Sequence, residues 1–246
     1  MRDDGVVRRV SAHEGIPQEN DLVVRAAKLL QRETSSTLGC DIWLDKRTPM
    51  GGGLGGGSSD AATTLIALNS LWNTQLSREQ LQNMGLSLGA DVPFFIFGRT
   101  AFAEGVGEKL TAIAIPPAWY VVLTPPVAVA TEQVFRSPEL TRDTIPLKIA
   151  DFSAVDLVNC RNDLQPVVLN AFPAVAHSFN ALSAASQKSI FGARMTGSGA
   201  CVFAAFAREA DAREALLVVS KALAREHIGF VARGLDCHPL SLEIPK

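Results

Sequence analysis

The chain has 246 residues, 47% of them hydrophobic, which is enough for one large domain or two modest ones with a real core. Lys and Arg number 23 against 25 Asp and Glu, and this formal charge of -2 excludes a global pull toward nucleic acid or an anionic membrane, so phosphate binding has to be local. Cys40, Cys160, Cys201 and Cys237 form no C-x-x-C pair, Met1-Arg-Asp-Asp-Gly has no apolar signal core, and no apolar run reaches the ~20 residues of a membrane span; the reading is a soluble, cytoplasmic protein.

Val6, Val7 and Val10 predict a short strand. Apolar residues at 22, 23, 26, 27 and 30 predict a helix that Asn20 or Asp21 can cap. Ile42-Trp43-Leu44 reads as a strand entering a glycine-rich segment. Behind that segment Ala61, Leu65, Leu68 and Trp72 share a helical face. Ser77-x-x-Gln80 is a capping box, with Leu76 and Leu81 as its staple. Phe94 to Phe97 and Thr100 to Phe102 read as short buried strands. A boundary is expected near Pro116-Pro117, followed by a strand at Tyr120–Leu123 and a polar, irregular stretch from Ser137 to Lys148. Helices are expected over roughly 163–187, then a strand at Cys201–Phe206, a helix at Glu209–Glu226 and a strand at Gly229–Arg233. Strands and helices mix without a regular repeat, so the fold class is α+β. His177 and His227 read as packed or surface histidines, and the neighbours Cys237 and His238 are too few ligands for a tetrahedral metal site.

The most informative stretch runs Pro49, Met50, Gly51, Gly52, Gly53, Leu54, Gly55, Gly56, Gly57, Ser58, Ser59. Six glycines in seven positions allow positive φ and remove side chains that would block a ligand. Successive amides can then line one anion-binding concavity, and a helix starting just behind adds its positive end. Ser58 and Ser59 can cap that helix, touch phosphate oxygens or reach a magnesium ion. A flexible Gly/Ser linker is the competing reading, but the segment lies between a strand and a strong helix, and Leu54 looks like an anchor. No Lys follows the glycines as in a Walker A loop, no acidic residue sits where a Rossmann site needs one, and the H-R-D and D-F-G runs of protein kinases are missing. Lys46 is either a phosphate or ribose contact or a solvated surface lysine. Asp91 stands between Gly89 and Pro93 in an apolar stretch, where a charge needs a partner or a purpose; the alternative is a turn or cap aspartate. Glu104 and Glu108 flank a turn and read as structural.

Pro49-Met-Gly-Gly-Gly-Leu-Gly-Gly-Gly-Ser-Ser-Asp60 resembles the second signature of the GHMP kinases, which include galactokinase, homoserine kinase and mevalonate kinase. Leu88-Gly-Ala-Asp-Val-Pro93 resembles the family's catalytic-aspartate segment, and Met195-Thr-Gly-Ser-Gly-Ala-Cys201 its third signature. Together with E-G-V-G-E, these segments are similar to the branch acting on a cytidine-diphosphate-linked methylerythritol, and the similarity runs from Arg2 essentially to the C-terminus. The resemblance implies a two-lobed fold: a ribosomal-protein-like α+β lobe over residues 1–115, N-terminally shortened, and a ferredoxin-like α+β lobe over 116–246, with ATP and substrate meeting in the cleft. It implies ATP and Mg²⁺ as cofactors, a free metabolite as substrate, and a monomer or homodimer. Asp91 would be the general base and Pro49–Ser59 the triphosphate site. Gly197, Ser198, Gly199 and Ala200 would support the site, with Thr131 and the Phe135 ring at the cytidine end. Relatives also carry P-A-K-L-N, whose lysine partners the aspartate, and G-Y-H near the cytosine. Neither occurs here, and a longer native protein is expected over a short form that binds ATP but phosphorylates poorly. The rivals are another GHMP small-molecule kinase and a non-catalytic ATP-binding form.

Overall fold

The computed structural model describes residues 1–11, 16–149, 160–223 and 227–240. The chain divides into two units. One holds Met1–Thr48, Gly55–Ala114 and the residues from Asp236 on; the other holds Pro49–Leu54 and Ile115–Leu235.

In the first unit the helical period gives α1 (Leu22–Thr34), which buries Val23, Val24, Ala26, Ala27 and Leu30. It links two short parallel strands, β1 (Val7–Arg9) and β2 (Cys40–Ile42). The second strand ends earlier than the apolar run Ile42–Leu44 suggests: Trp43 is 76% exposed, and the Leu44 amide donates to the Ser11 hydroxyl. Helix α2 (Gly56–Leu71) packs on α1. Ala26 and Ala27 of the one and Ala61 and Ala62 of the other are fully buried, and small side chains let two helix backbones approach closely. Helix α3 (Arg78–Leu86) starts at the expected capping box, with Ser77 and Gln80 bonded reciprocally.

The run Val92–Phe97 is helix α4 and not the strand its apolar content suggested at Phe94–Phe97. Short apolar runs carry no decisive period. The local signals decide: Pro93 in the first turn, and Gly98 in the left-handed conformation (φ 73°) closing the end. Arg78 of α3 donates to the carbonyls of Ile96 and Phe97, which the helix end leaves without partners. An antiparallel pair follows, β3 (Ala101–Glu104) with β4 (Lys109–Ala112); the second strand was not expected from the sequence.

The second unit is built on β5 (Trp119–Thr124). With β6 (Phe191–Met195), β7 (Val202–Phe206) and β8 (Ile228–Arg233) it forms an antiparallel sheet of order β6-β7-β5-β8. Helices α5 (Thr131–Phe135), α6 (Leu164–Ala171) and α7 (Pro173–Ala185) lie between β5 and β6 in the chain, and α8 (Glu209–Ala222) between β7 and β8. That strand order with helices in the first and last crossovers is the ferredoxin-like arrangement, and both units are α+β. Val121, Leu123, Val202, Ala204 and Phe206 of the sheet bury against Val175 and Leu182 of α7 and Ala212, Ala215 and Val219 of α8. The one-turn α5 and β6 escaped the sequence reading. The latter is interrupted by Gly192 and Arg194, and its register shifts between Phe191 and Arg194. Helix α8 ends at Ala222; the expected continuation to Glu226 lies outside the described residues.

Asp21 caps α1 by accepting from the Val23 amide, and its other oxygen pairs with Arg9 of β1, both side chains being only 7% exposed. Asp21→Ala removes the cap and the carboxylate paired with the buried Arg9 guanidinium, so denaturant unfolding should register a loss of about 3 kcal/mol. Asp21→Asn keeps the cap and should lose less.

Candidate active site

The glycine loop is held differently in its two halves. Pro49–Leu54 belongs to the second unit, where the Gly52 carbonyl accepts two hydrogen bonds, from the Cys201 amide (3.0 Å) and from the Thr196 hydroxyl (3.0 Å). Close approach explains the glycines here. A Cβ on Gly52 would lie 2.6 Å from Cys201 Sγ. One on Gly53, at φ 70°, would lie 2.7 Å from the Thr196 carbonyl oxygen and 2.8 Å from that of Gly199. Leu54 is half-buried, as an anchor should be, and Met50 is exposed. Burial pushes the Cys201 thiol above its ordinary pKa, opposed by the Thr124 hydroxyl at 3.5 Å, so it sits here as an apolar filler.

Gly55–Ser59 belongs to the first unit and opens α2. The sequence offered Ser58 or Ser59 as the helix cap. The capping position is instead Gly55, left-handed at φ 67°, with no side-chain cap, and the serines lie inside the first turn. The Ser59 amide is bonded to the Gly55 carbonyl, while the amides of Gly56, Gly57 and Ser58 lie ahead of that first bond at the helix's positive end. Lys46 is not a lone solvated lysine: its ammonium pairs with Asp60, with the side chains 15% and 28% exposed.

Asp91 precedes α4 at its N-cap, forms no side-chain cap and is exposed. The desolvation argument that singled it out in an apolar stretch therefore does not apply. Its place is set by neighbours in the same unit. A Cβ on Gly89 would be 3.9 Å from Ser58 Oγ, so this segment runs beside the first turn of α2. A Cβ on Gly107 would be 3.4 Å from the Ala90 carbonyl oxygen, which sets the Glu104–Glu108 turn against the segment. The Glu108 carboxylate accepts from the Val106 amide, and hydrogen bonds from the turn's backbone hold its pKa down, in keeping with a structural role.

In the second unit the turn Gly197–Gly199 meets two other candidates. The hydroxyls of Ser198 and Thr131 share a hydrogen bond of 2.7 Å, and Thr196 reaches Gly52 as described. Phe135 lies four residues after Thr131 on α5, on the same helical face, with its ring 52% exposed. Three residues without an assigned role complete this cluster: Thr196, Asn162 and Gln165. Thr196 stood inside the third signature. Asn162, just ahead of α6, carried a helix-start signal, since its Oδ1 accepts from the Leu164 amide. Nothing in the sequence pointed to Gln165, whose Oε1 accepts from Met195.

These elements have known counterparts. Residues 21–99 match the family described as GHMP kinases N terminal domain, and residues 148–225 that described as GHMP kinases C terminal. A protein of Nitrosospira multiformis named 4-diphosphocytidyl-2-C-methyl-D-erythritol kinase is 55% identical over 243 residues, covering 98% of this chain and 79% of that protein. One of Thiobacillus denitrificans with the same name is 55% identical over 246 residues, covering 100% and 84%. Among solved structures, a 4-(cytidine 5'-diphospho)-2C-methyl-D-erythritol kinase superposes with TM-score 0.76 at 31% identity, over 95% of this chain and 84% of that one. A homoserine kinase from Cytophaga hutchinsonii, at 17% identity and TM-score 0.72 over 95% and 83%, shares the fold.

Gly53→Ala places a methyl group against two carbonyl oxygens at a positive φ, and thermal unfolding should show a loss of about 2 kcal/mol or more. Gly57→Ala, within α2 and with only Leu22 Cδ1 at 3.4 Å from the new Cβ, should be neutral or stabilising by up to about 1 kcal/mol.

Proposed function

The chain belongs to the GHMP kinases, and we propose that it transfers the terminal phosphoryl group of ATP to the 2-hydroxyl of 4-diphosphocytidyl-2-C-methyl-D-erythritol, in the cytoplasm, as a step of the non-mevalonate route to isoprenoid precursors. The observation that supports this most is the stitching of two separate signature segments: Thr196 and Cys201 of the third hold the Gly52 carbonyl of the second. Identity of 55% over nearly the whole chain supports the substrate.

Each group then has a task. The amides along Met50–Ser59, with the start of α2, take the triphosphate, where fixed N–H dipoles stabilise charge without reorganising. Asp91 is the catalytic residue, accepting the proton of the attacking hydroxyl. Thr131 and Phe135 receive the cytidine end, the ring stacking on the base. Gly197, Ser198 and Gly199 line the substrate's site. Magnesium is expected with the nucleotide. Ser58 and Ser59, in the first turn of α2, offer the hard oxygen donors that such an ion takes beside phosphate, and they would hold it. When bound, the ion would neutralise charge on the transferring group.

The test is a substrate panel with ATP. Turnover of the CDP-linked alcohol, with none of homoserine, mevalonate or sugars, is the expected result. Turnover of one of those others instead would make this a different GHMP kinase, and ATP binding without any turnover would make it a non-catalytic form. Asp91→Asn should lower kcat by about 10²- to 10⁴-fold while ATP affinity stays nearly unchanged. Normal turnover by that variant would remove Asp91 from the role.

A further inference from the structure

Strand β6 is one of the two outer strands of its sheet. Its last residue, Met195, directs its N–H and C=O away from β7, and an outer strand's free backbone groups need partners. Side chains supply them. Gln165 Oε1 accepts from the Met195 amide at 2.9 Å, and Asn162 Nδ2 donates to the Met195 carbonyl at 3.2 Å. The same Nδ2 donates to the carbonyl of Gly197 at 2.7 Å, inside the turn that follows. The other end of the Asn162 amide is committed as well, because Oδ1 accepts from the Leu164 amide at 3.0 Å, at the start of α6. That bond fixes which way the amide faces. Its oxygen must meet an N–H and its nitrogen must meet two carbonyls, so no flipped orientation satisfies the set.

The turn held in this way is not an ordinary sheet connection. Gly197 (φ 46°) and Gly199 (φ 91°) are both left-handed, Ser198 bonds Thr131, and Thr196, between the two clamped carbonyls, reaches the Gly52 carbonyl. We propose that Asn162 and Gln165 are positioning residues: from the head of α6 they set the backbone of Met195–Gly199, and with it the substrate-facing turn. The proposal rests on the reading above that Gly197–Gly199 lines the substrate's site.

The two side chains have opposite chemical requirements, which gives the test its sign. Asn162 must donate, so Asn162→Asp keeps the bond from Leu164 but sets a carboxylate against two carbonyl oxygens. Gln165 must accept from Met195, so Gln165→Glu preserves that bond, whereas Gln165→Leu loses it. For Asn162→Asp, kcat/KM for the CDP-linked alcohol should fall by about 10- to 100-fold. Gln165→Glu should stay within about threefold of the parent, and Gln165→Leu should fall about 10-fold. Amide hydrogen exchange supplies a readout that needs no substrate. Asn162→Asp and Gln165→Leu should speed exchange across residues 195–201 and leave β5 and β8 protected, with Gln165→Glu unchanged.

Parental exchange in Asn162→Asp, or equal damage from Gln165→Glu and Asn162→Asp, overturns the proposal. So does a lowered melting temperature with undiminished activity per folded molecule, the result a merely structural role would give. If the parent chain turns over nothing in the substrate panel, the proposed function fails, and the exchange pattern still decides whether these two residues set the turn.

Discussion

A single carbonyl oxygen, that of Gly52, carries much of what this chain does with its glycine loop. Six glycines in seven residues have more conformational freedom to lose than any other composition, so an ordered loop needs bonds that outweigh that entropy. The Gly52 carbonyl receives two, one from a side chain and one from the backbone, both from the segment Thr196–Cys201. Those bonds bring the chain so close that Cys201 Sγ and the carbonyls of Thr196 and Gly199 occupy the space where side chains at 52 and 53 would stand. The glycines are there because of contact, and a linker of the same composition would have no such neighbours. The third signature thus acts as the wall against which the second is cast.

The other half of the loop is governed by a helix end. Gly55 turns the chain into α2, leaving the first amides of that helix ahead of its first intrahelical bond, as donors at its positive end. Asp60 stands one turn inside, and its carboxylate would work against a phosphate held there. Pairing with Lys46 neutralises it, so a residue that favours the helix start would not repel an anion at the proposed phosphate site. Lys46 contributes by cancelling a charge, which no count of basic residues near a glycine run would reveal.

What the sequence disclosed follows from the range over which each signal acts. Helical period found α1 and α2, and the Ser77–Gln80 box found the start of α3, because these are local arrangements of side chains on their own backbone. The glycine loop, the Asp91 segment and the third signature were legible as motifs. One error came from overlooking local signals, and the others fall where the outcome depends on partners far along the chain. Phe94–Phe97 had strand composition, and became helix through the flanking Pro93 and Gly98, with Arg78 bonded to its closing carbonyls. Strand β6 exists because β7 pairs with it, in spite of Gly192 and Arg194. Asn162 and Gln165 act on Met195, more than 30 and exactly 30 positions away respectively, and no local pattern encodes that.

Asp91 was singled out in the sequence by an argument that the fold does not support. An apolar neighbourhood in sequence suggested a buried carboxylate needing compensation, yet the folded chain leaves it exposed at the head of α4. Burial is thus not what would make it a base. Phosphoryl transfer to an alcohol asks little of the base's strength, because the hydroxyl proton becomes acidic as its oxygen bonds to the transferring phosphoryl group; placement matters more. What the fold shows is where the segment carrying Asp91 runs. Gly89, two residues before Asp91, passes close to the Ser58 hydroxyl in the first turn of α2, and the Gly105–Gly107 turn lies against Ala90 from another direction. A Cβ at position 89 would meet Val92 Cγ2 at 3.7 Å and Ser58 Oγ at 3.9 Å, both ordinary van der Waals contacts. The Gly89–Asp91 segment thus runs beside the first turn of α2, and in the proposed function that closeness is what would place the carboxylate.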